Sequence, residues 1–134
     1  MDIKKEKVLC QKQWAKNKYL VLSYSSKIYL EIRTYLKQEE VSLEKVNKLI
    51  KQAINLPEDK GQVTNALHHV WGYFKKSATK EEKDNFFKMI EDYHTNKTTK
   101  EDLIEEVKKL LKKYPNTYLE QSTFINGGKD ETLA

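Results

Sequence analysis

The stretch DLIEEVKKLLKKYP, Asp102–Pro115, decides the fold class of this chain. Its apolar residues recur at spacings of three and four, which place them on one face of an α-helix. The residues on this face are Leu103, Val107, Leu110, Leu111 and Tyr114. Thr98 with Glu101 forms a capping-box pattern ahead of it, and Pro115 ends it. We therefore predict a helix that starts after Thr98 and buries one face in a core.

The same helical spacing recurs along the chain, and the breakers Gly and Pro number only four and two. The other predicted helices cover about residues 4–23, from Ser25 or Ser26 onward, 41–56, 59–76, and from Thr79 onward, with a short helix or turn after Pro115. We predict an all-α protein, a compact single-domain bundle of six or seven helices. The domain is expected over residues 1–124, and residues 125–134 are expected to form a disordered tail because they show no periodicity.

Composition limits the classes of function. No window approaches the roughly 20 apolar residues of a membrane span, and the start lacks the apolar run of a signal peptide, so we expect a cytoplasmic protein without a membrane partner. Cys10 is the single cysteine, which excludes an internal disulfide and any thiolate-rich zinc or iron–sulfur site. We expect no cofactor. The net charge of +5, from 25 basic and 20 acidic residues, mildly favours polyanionic partners.

A second stretch, NALHHVWGYFKK from Asn65 to Lys76, is the densest in unusual residues. On a helical wheel its core face consists of Ala66, Leu67, Val70, Trp71 and Phe74. The opposite side is a polar stripe made of Asn65, His69, Gly72 and Lys76, with Tyr73 and His68 at its edges. A mid-helix glycine costs up to ~1 kcal/mol against alanine, so Gly72 needs a reason. Either it admits a neighbouring helix, or the stripe is the floor of a groove.

Other chemistry in the chain is weakly supported. His69 lacks the two or three further ligands that a metal site needs, so we expect no metal. Two segments place lysine beside tyrosine: Lys18 precedes Tyr19, and Tyr73 lies near Lys76. That combination can hold phosphates and stack on bases. It is also common at helix margins, where the ring is buried and the hydroxyl stays in water.

Several spaced motifs resemble the YbgA-like family of helical domains. The first is N-x-L-x-H-x-x-G-Y-F, carried by Asn65, Leu67, His69, Gly72, Tyr73 and Phe74. The segment WAKNKYLVLSYSSKIYLEI is similar to the family's opening block, MIEDYH to its I-x-x-Y-R segment, and YPNTYLEQSTF to its closing P-x-x-Y-L-x-x-Q element. The resemblance covers about residues 11–124 in the family's order.

The resemblance implies a helical domain found alone or fused behind a desulfidase-like domain with a cysteine-bound iron–sulfur cluster. In those fusions the desulfidase half acts on thiolated uracil or thiolated tRNA, and the helical half is thought to hold RNA. The positions that it implies for a site are Lys18, Tyr19, Asn65, His69, Gly72, Tyr73 and Gln121. Three residues depart from the family pattern: Asn17, Tyr24 and His94. With one cysteine, this chain cannot itself be the desulfidase, so that chemistry would belong to a separate partner enzyme.

Three hypotheses follow. The leading one is a non-catalytic nucleic-acid-binding module that binds tRNA or another RNA, alone or for a partner enzyme, with lysines such as Lys18 and Lys76 on phosphates. Asn65, His69 and Gln121 would supply directional hydrogen bonds. The first alternative is an enzyme of unknown reaction that uses His69 as general acid–base, oriented by Asn65. The second is a protein-interaction scaffold in which the motif is architectural.

Overall fold

The computed structural model describes residues 2–127, and within them the chain forms seven α-helices and no β-strand. The predicted all-α fold is confirmed. In chain order the helices are α1 (Ile3–Leu22), α2 (Ser26–Tyr35), α3 (Leu43–Ile54), α4 (Lys60–Trp71), α5 (Lys80–His94), α6 (Lys100–Lys113) and α7 (Thr117–Glu120). None of these seven helices combines the length and the apolar composition needed to cross a membrane.

Side-chain caps set where the helices begin. Ser25 caps α2, and Thr79 forms with Glu82 the predicted capping box of α5. The start of α6 corrects the prediction by one residue: its cap is Thr99, paired with Asp102, and not Thr98 paired with Glu101. In the observed register the Asp102 carboxylate accepts from the Thr99 N–H and also from the Thr98 hydroxyl at 2.7 Å. One side chain thus satisfies two donors.

The helix α1 joins two apolar clusters. It packs on α2 and α3 on one side and on α4 on the other. Its buried Cys10 and Val21 belong to the cluster formed with α2 and α3. Tyr19 and Leu22 belong to the larger cluster, which α4, α5, α6 and the C-terminal segment complete. Because α1 is packed into both apolar clusters, the position of its exposed face is fixed.

The C-terminal segment after α7 docks on α1. The Thr123 N–H donates to the Lys16 carbonyl at 2.9 Å, and the Thr123 hydroxyl donates to Asn17 Oδ1 at 2.7 Å. Ile125 is only 3% exposed, so the packed domain continues past the predicted boundary at residue 124. A single isoleucine in a turn has no periodicity by which the sequence could reveal its burial. Residues 128–134 of the predicted tail lie outside the described residues.

The end of α4 also corrects a prediction. The α-helix ends at Trp71 and not near Lys76, because the N–H groups of Gly72, Tyr73 and Phe74 donate to carbonyls three residues earlier, at 3.2, 3.0 and 2.9 Å. A Cβ at Gly72 would lie 3.1 Å from the His69 carbonyl oxygen and within 4 Å of no other described neighbour. Gly72 therefore relieves crowding in a tightened turn, and of the two alternatives for this glycine the helix crossing is not observed among the described residues.

Candidate functional site

Three of the residues predicted for a site meet where α1 faces the turn after α4. The Tyr19 and Tyr73 hydroxyl oxygens lie 2.7 Å apart, and their rings meet edge to face with centroids 6.0 Å apart. The Lys18 Nζ lies 5.2 Å from the centroid of the Tyr19 ring. The sequence separates Lys18 and Tyr19 from Tyr73, and the packing of α4 on α1 brings them together.

Tyr118 completes this group, although it was not among the residues predicted for a site. Its ring stacks on Tyr73 with centroids 6.2 Å apart and an interplanar angle of 15°, and Lys18 Nζ lies 5.3 Å from its centroid. Tyr118 is 37% exposed, so part of its ring is accessible. Its only signal was its place in the P-x-x-Y-L element, since a helix of four residues has no periodicity. We call Lys18, Tyr19, Tyr73 and Tyr118 the tyrosine cluster.

Tyr19 positions Tyr73 in this cluster by a hydrogen bond, and its hydroxyl is not available as a general base. Burial, followed by the hydrogen bond with Tyr73, raises the pKa of Tyr19 well above its usual value. Tyr19 therefore stays protonated at neutral pH. Since one hydroxyl of the pair donates to the other, a second O–H hydrogen remains to donate to a ligand oxygen. Tyr73 is half-buried, which leaves it the more accessible partner.

A shallow groove of about 290 Å³ adjoins the tyrosine cluster, between α1, α2 and the start of α7. We call it the aromatic groove, and its lining consists of Gln11, Trp14, Ala15, Lys18, Arg33, Leu36, Lys37 and Tyr118. It combines three cationic side chains with two aromatic rings, and none of the described residues that line it is acidic. Lys18, Arg33 and Lys37 form no ion pair within residues 2–127. Trp14, Arg33 and Lys37 were not predicted, because they are far apart in the sequence or on different elements and only tertiary packing brings them to one groove.

Gln121 lies apart from the tyrosine cluster, in a second groove on the other side of α1. This second groove has a volume of about 370 Å³ and is lined by Leu9, Lys12, Gln13, Ala15, Lys16, Leu43 and Gln121. Ala15 lines both grooves. The structure thus places Gln121 and Lys18 on opposite sides of one helix, close to the same alanine.

The predicted polar stripe of α4 stays exposed and separate. Asn65, His69 and Lys76 are exposed, and their side chains form no hydrogen bond or ion pair with any other residue in 2–127. His69 lines neither groove, and Asn65 does not orient it. The neighbouring His68 packs edge-on against Phe87 of α5 with ring centroids 5.2 Å apart.

The three departures from the resembled pattern all make contacts within the chain. Asn17 is 0% exposed, and its Nδ2 donates to the Gln13 carbonyl while its Oδ1 accepts from Thr123. The His94 Nε2 lies 2.7 Å from the Thr64 hydroxyl, and Lys100 Nζ lies 5.2 Å from the centroid of the Tyr24 ring. Asn17 therefore holds the C-terminal segment on α1 and has no surface to offer a ligand.

The described residues contain no group of three or more His, Cys, Asp or Glu side chains that could hold a metal ion. Cys10 is buried, and burial together with the nearby Glu6 raises the pKa of its thiol. A raised thiol pKa makes the reactive thiolate scarcer at neutral pH.

Fold and surface together define a small all-α protein with a basic, tyrosine-rich face where α1 meets α7. The family model described as a protein of unknown function, DUF1722, matches residues 18–127, and the chain belongs to this family. No curated protein and no solved structure matches the chain. The matched range contains the whole tyrosine cluster, while Trp14 and Ala15 of the aromatic groove precede it.

Proposed function

We propose that this protein is a non-catalytic RNA-binding module that holds RNA on the tyrosine cluster and the adjoining aromatic groove. The observation that carries the proposal is the position of Lys18, whose ammonium lies within 5.3 Å of the Tyr19 and Tyr118 rings at the edge of this groove. Cations hold phosphates without regard to sequence, and aromatic rings stack on unpaired bases. This face offers both kinds of contact side by side.

The distribution of ion pairs supports the choice of this face. On α5 and α6, Lys88 pairs with Asp92, Lys108 with Glu105 and Lys113 with Glu82, while other lysines of these helices, such as Lys83, form no ion pair within residues 2–127. Such pairs lower the local positive potential. The three cations of the aromatic groove have no such partners within residues 2–127. The aromatic groove therefore brings three cations without acidic partners among the described residues together beside two aromatic rings, which favours a polyanion at this position.

The choice of tRNA as the favoured RNA rests on the YbgA-like resemblance, with which the family match is consistent. The resemblance implies fused members in which such a helical domain accompanies an enzyme acting on thiolated uracil or thiolated tRNA. We propose that this chain likewise holds the RNA, and that a separate desulfidase-like enzyme, its partner, carries out the reaction. This chain has one cysteine and would contribute binding only.

Each side chain has a distinct role in the proposal. Lys18, Arg33 and Lys37 contact phosphates. Tyr118 offers its accessible ring for stacking, and Tyr73 offers its hydroxyl as a donor. Tyr19 positions Tyr73 through their hydrogen bond. The exposed Asn65, His69 and Lys76 would meet an RNA large enough to extend over the turn after α4.

Fluorescence anisotropy with labelled tRNA over a series of salt concentrations tests the proposal. We expect the logarithm of the association constant to fall linearly with the logarithm of salt, with a slope reduced by about 1 in Arg33→Glu because one phosphate contact is lost. Lys83→Glu is the matched control, since Lys83 is exposed on α5, which packs on α4 and α6. Failure to bind tRNA even at low salt would refute the proposal.

A further inference from the structure

Ala15 lies on the part of α1 that separates the two grooves, and its side chain is short. The aromatic groove lies on one side of α1 and the second groove on the other, and Ala15 lines both. Gln11, Ala15 and Lys18 follow the spacing of four and three that places residues on one helix face. A methyl group at this position lets a ligand pass over the helix closer to its axis than it could over a longer side chain.

The two grooves share one sign of charge. Their linings contribute Lys18, Arg33 and Lys37 on one side of α1 and Lys12 and Lys16 on the other. No Asp or Glu appears among the described residues that line either groove. A chain of phosphates crossing α1 at Ala15 would stay beside cations on both sides of the helix.

The two ends of this path differ in chemistry. Trp14 and Tyr118 lie in the aromatic groove, where a base can stack. The second groove has no ring in its lining, and Gln121 is its exposed amide. A ligand seated in both grooves can therefore stack its bases on Trp14 or Tyr118 at one end. At the other end its hydrogen-bonding groups lie within reach of the Gln121 amide.

We infer that the two grooves form one track that binds an unpaired segment of RNA, which crosses α1 over Ala15. The inference rests on the proposed RNA-binding function and narrows its substrate. A duplex buries its base faces in its own stack and offers mainly phosphates and sugars, so it would leave Trp14 and Tyr118 unused. An unpaired strand bends at each nucleotide, which allows it to enter grooves on both sides of a helix.

The test compares one RNA of about ten nucleotides, single-stranded and paired with its complement, because single-strand sites commonly span about 4–16 nucleotides. Affinities of the full-length protein for both are measured at the same low salt. We expect the single strand to bind about tenfold more tightly than the duplex, since only unpaired bases can stack on Trp14 and Tyr118.

Ala15→Leu tests the crossing point without changing charge. Leucine is a good helix former, so α1 is expected to stay intact, which a thermal melt checks. We expect this variant to weaken single-strand binding about tenfold and to leave duplex binding unchanged, because only the unpaired strand uses the passage over Ala15. Ala15→Gln repeats the test with a polar side chain should leucine disturb the fold.

The outcomes separate the two proposals. Equal or tighter binding of the duplex, or single-strand binding that both Ala15 variants leave unchanged, would overturn the track while RNA binding itself stands. Absence of binding to either RNA would overturn both proposals together.

Discussion

The hydroxyl oxygens of Tyr19 and Tyr73 lie 2.7 Å apart although 54 positions separate the two residues in the sequence. This contact ties α1 to the tightened turn after α4. It also sets the ring of Tyr73 against that of Tyr118. This tyrosine pair lies at the edge of a basic groove. Loss of its hydrogen bond is therefore expected to affect both the stability of the fold and the binding of a ligand.

Tyr73→Phe is expected to lower the free energy of unfolding by about 1 kcal/mol, because it leaves the largely buried Tyr19 hydroxyl without its partner. Urea denaturation measures the change. Tyr118→Phe is the matched control, since the Tyr118 hydroxyl makes no hydrogen bond within residues 2–127. Equal losses in the two variants would show that the Tyr19–Tyr73 bond does not stabilise the fold.

The carboxylate of Glu82 gives the protein an acid-sensitive contact between α5 and α6. The hydrogen bond from the Thr79 N–H, followed by that from the Tyr114 hydroxyl, lowers the pKa of Glu82 to about 2. In the unfolded chain this pKa returns to about 4.5. Between these values the unfolded state binds more protons, so the stabilisation is complete above about pH 4.5 and is lost as pH falls toward 2.

We therefore expect the melting temperature of Glu82→Gln to fall less steeply than that of the wild type between about pH 5 and pH 2. Glutamine can still cap α5, which keeps the helix start intact. Glu81→Gln, at the exposed neighbouring position, is expected to retain the wild-type pH dependence. If the melting temperatures of wild type and Glu82→Gln depended on pH in the same way, the lowered pKa of Glu82 would be contradicted.

Tyr118→Ala is expected to weaken RNA binding about tenfold, because one stacked base contributes about 1–3 kcal/mol. Its stability should change little, since Tyr118 is partly exposed. Tyr118→Phe keeps the ring and should bind RNA nearly as well as the wild type. Anisotropy titrations compare the three proteins, and a phenylalanine variant as weak as the alanine variant would exclude stacking as the role of this residue.

His69→Ala distinguishes a binding role for the α4 stripe from an architectural one. The His69 side chain is exposed and makes no hydrogen bond within residues 2–127, so its removal should change the free energy of unfolding by less than about 0.5 kcal/mol. A large drop in melting temperature would favour the scaffold hypothesis, in which the motif serves the fold. His68→Ala, which removes a ring packed on Phe87, is the informative comparison.

Periodicity and caps were enough to predict α2 to α6, because each of these helices has an apolar face and a Ser, Thr or Asp at its start. The end of α4 was not predictable in this way. The wheel from Val70 to Phe74 stays amphipathic, and only the close approach of Gly72 to the His69 carbonyl shows that the helix has already tightened into a turn.

The site was predictable only in part. Lys18, Tyr19 and Tyr73 were predicted and do converge, whereas Tyr118 and Arg33 join them through tertiary packing that no local pattern encodes. Asn17 shows the reverse case. The sequence marked it only as a departure from the resembled pattern, and the structure shows it fully buried and hydrogen-bonded to Thr123.

Lysine footprinting of the full chain measures most directly which face RNA covers. The protein is acetylated briefly with and without saturating tRNA, and mass spectrometry reads the reactivity of each lysine. RNA on the proposed face would protect Lys18 and Lys37 of the aromatic groove severalfold and leave Lys83 of α5 unchanged. Protection of Lys83 equal to that of Lys37, or no protection at any lysine, would contradict RNA binding at this surface.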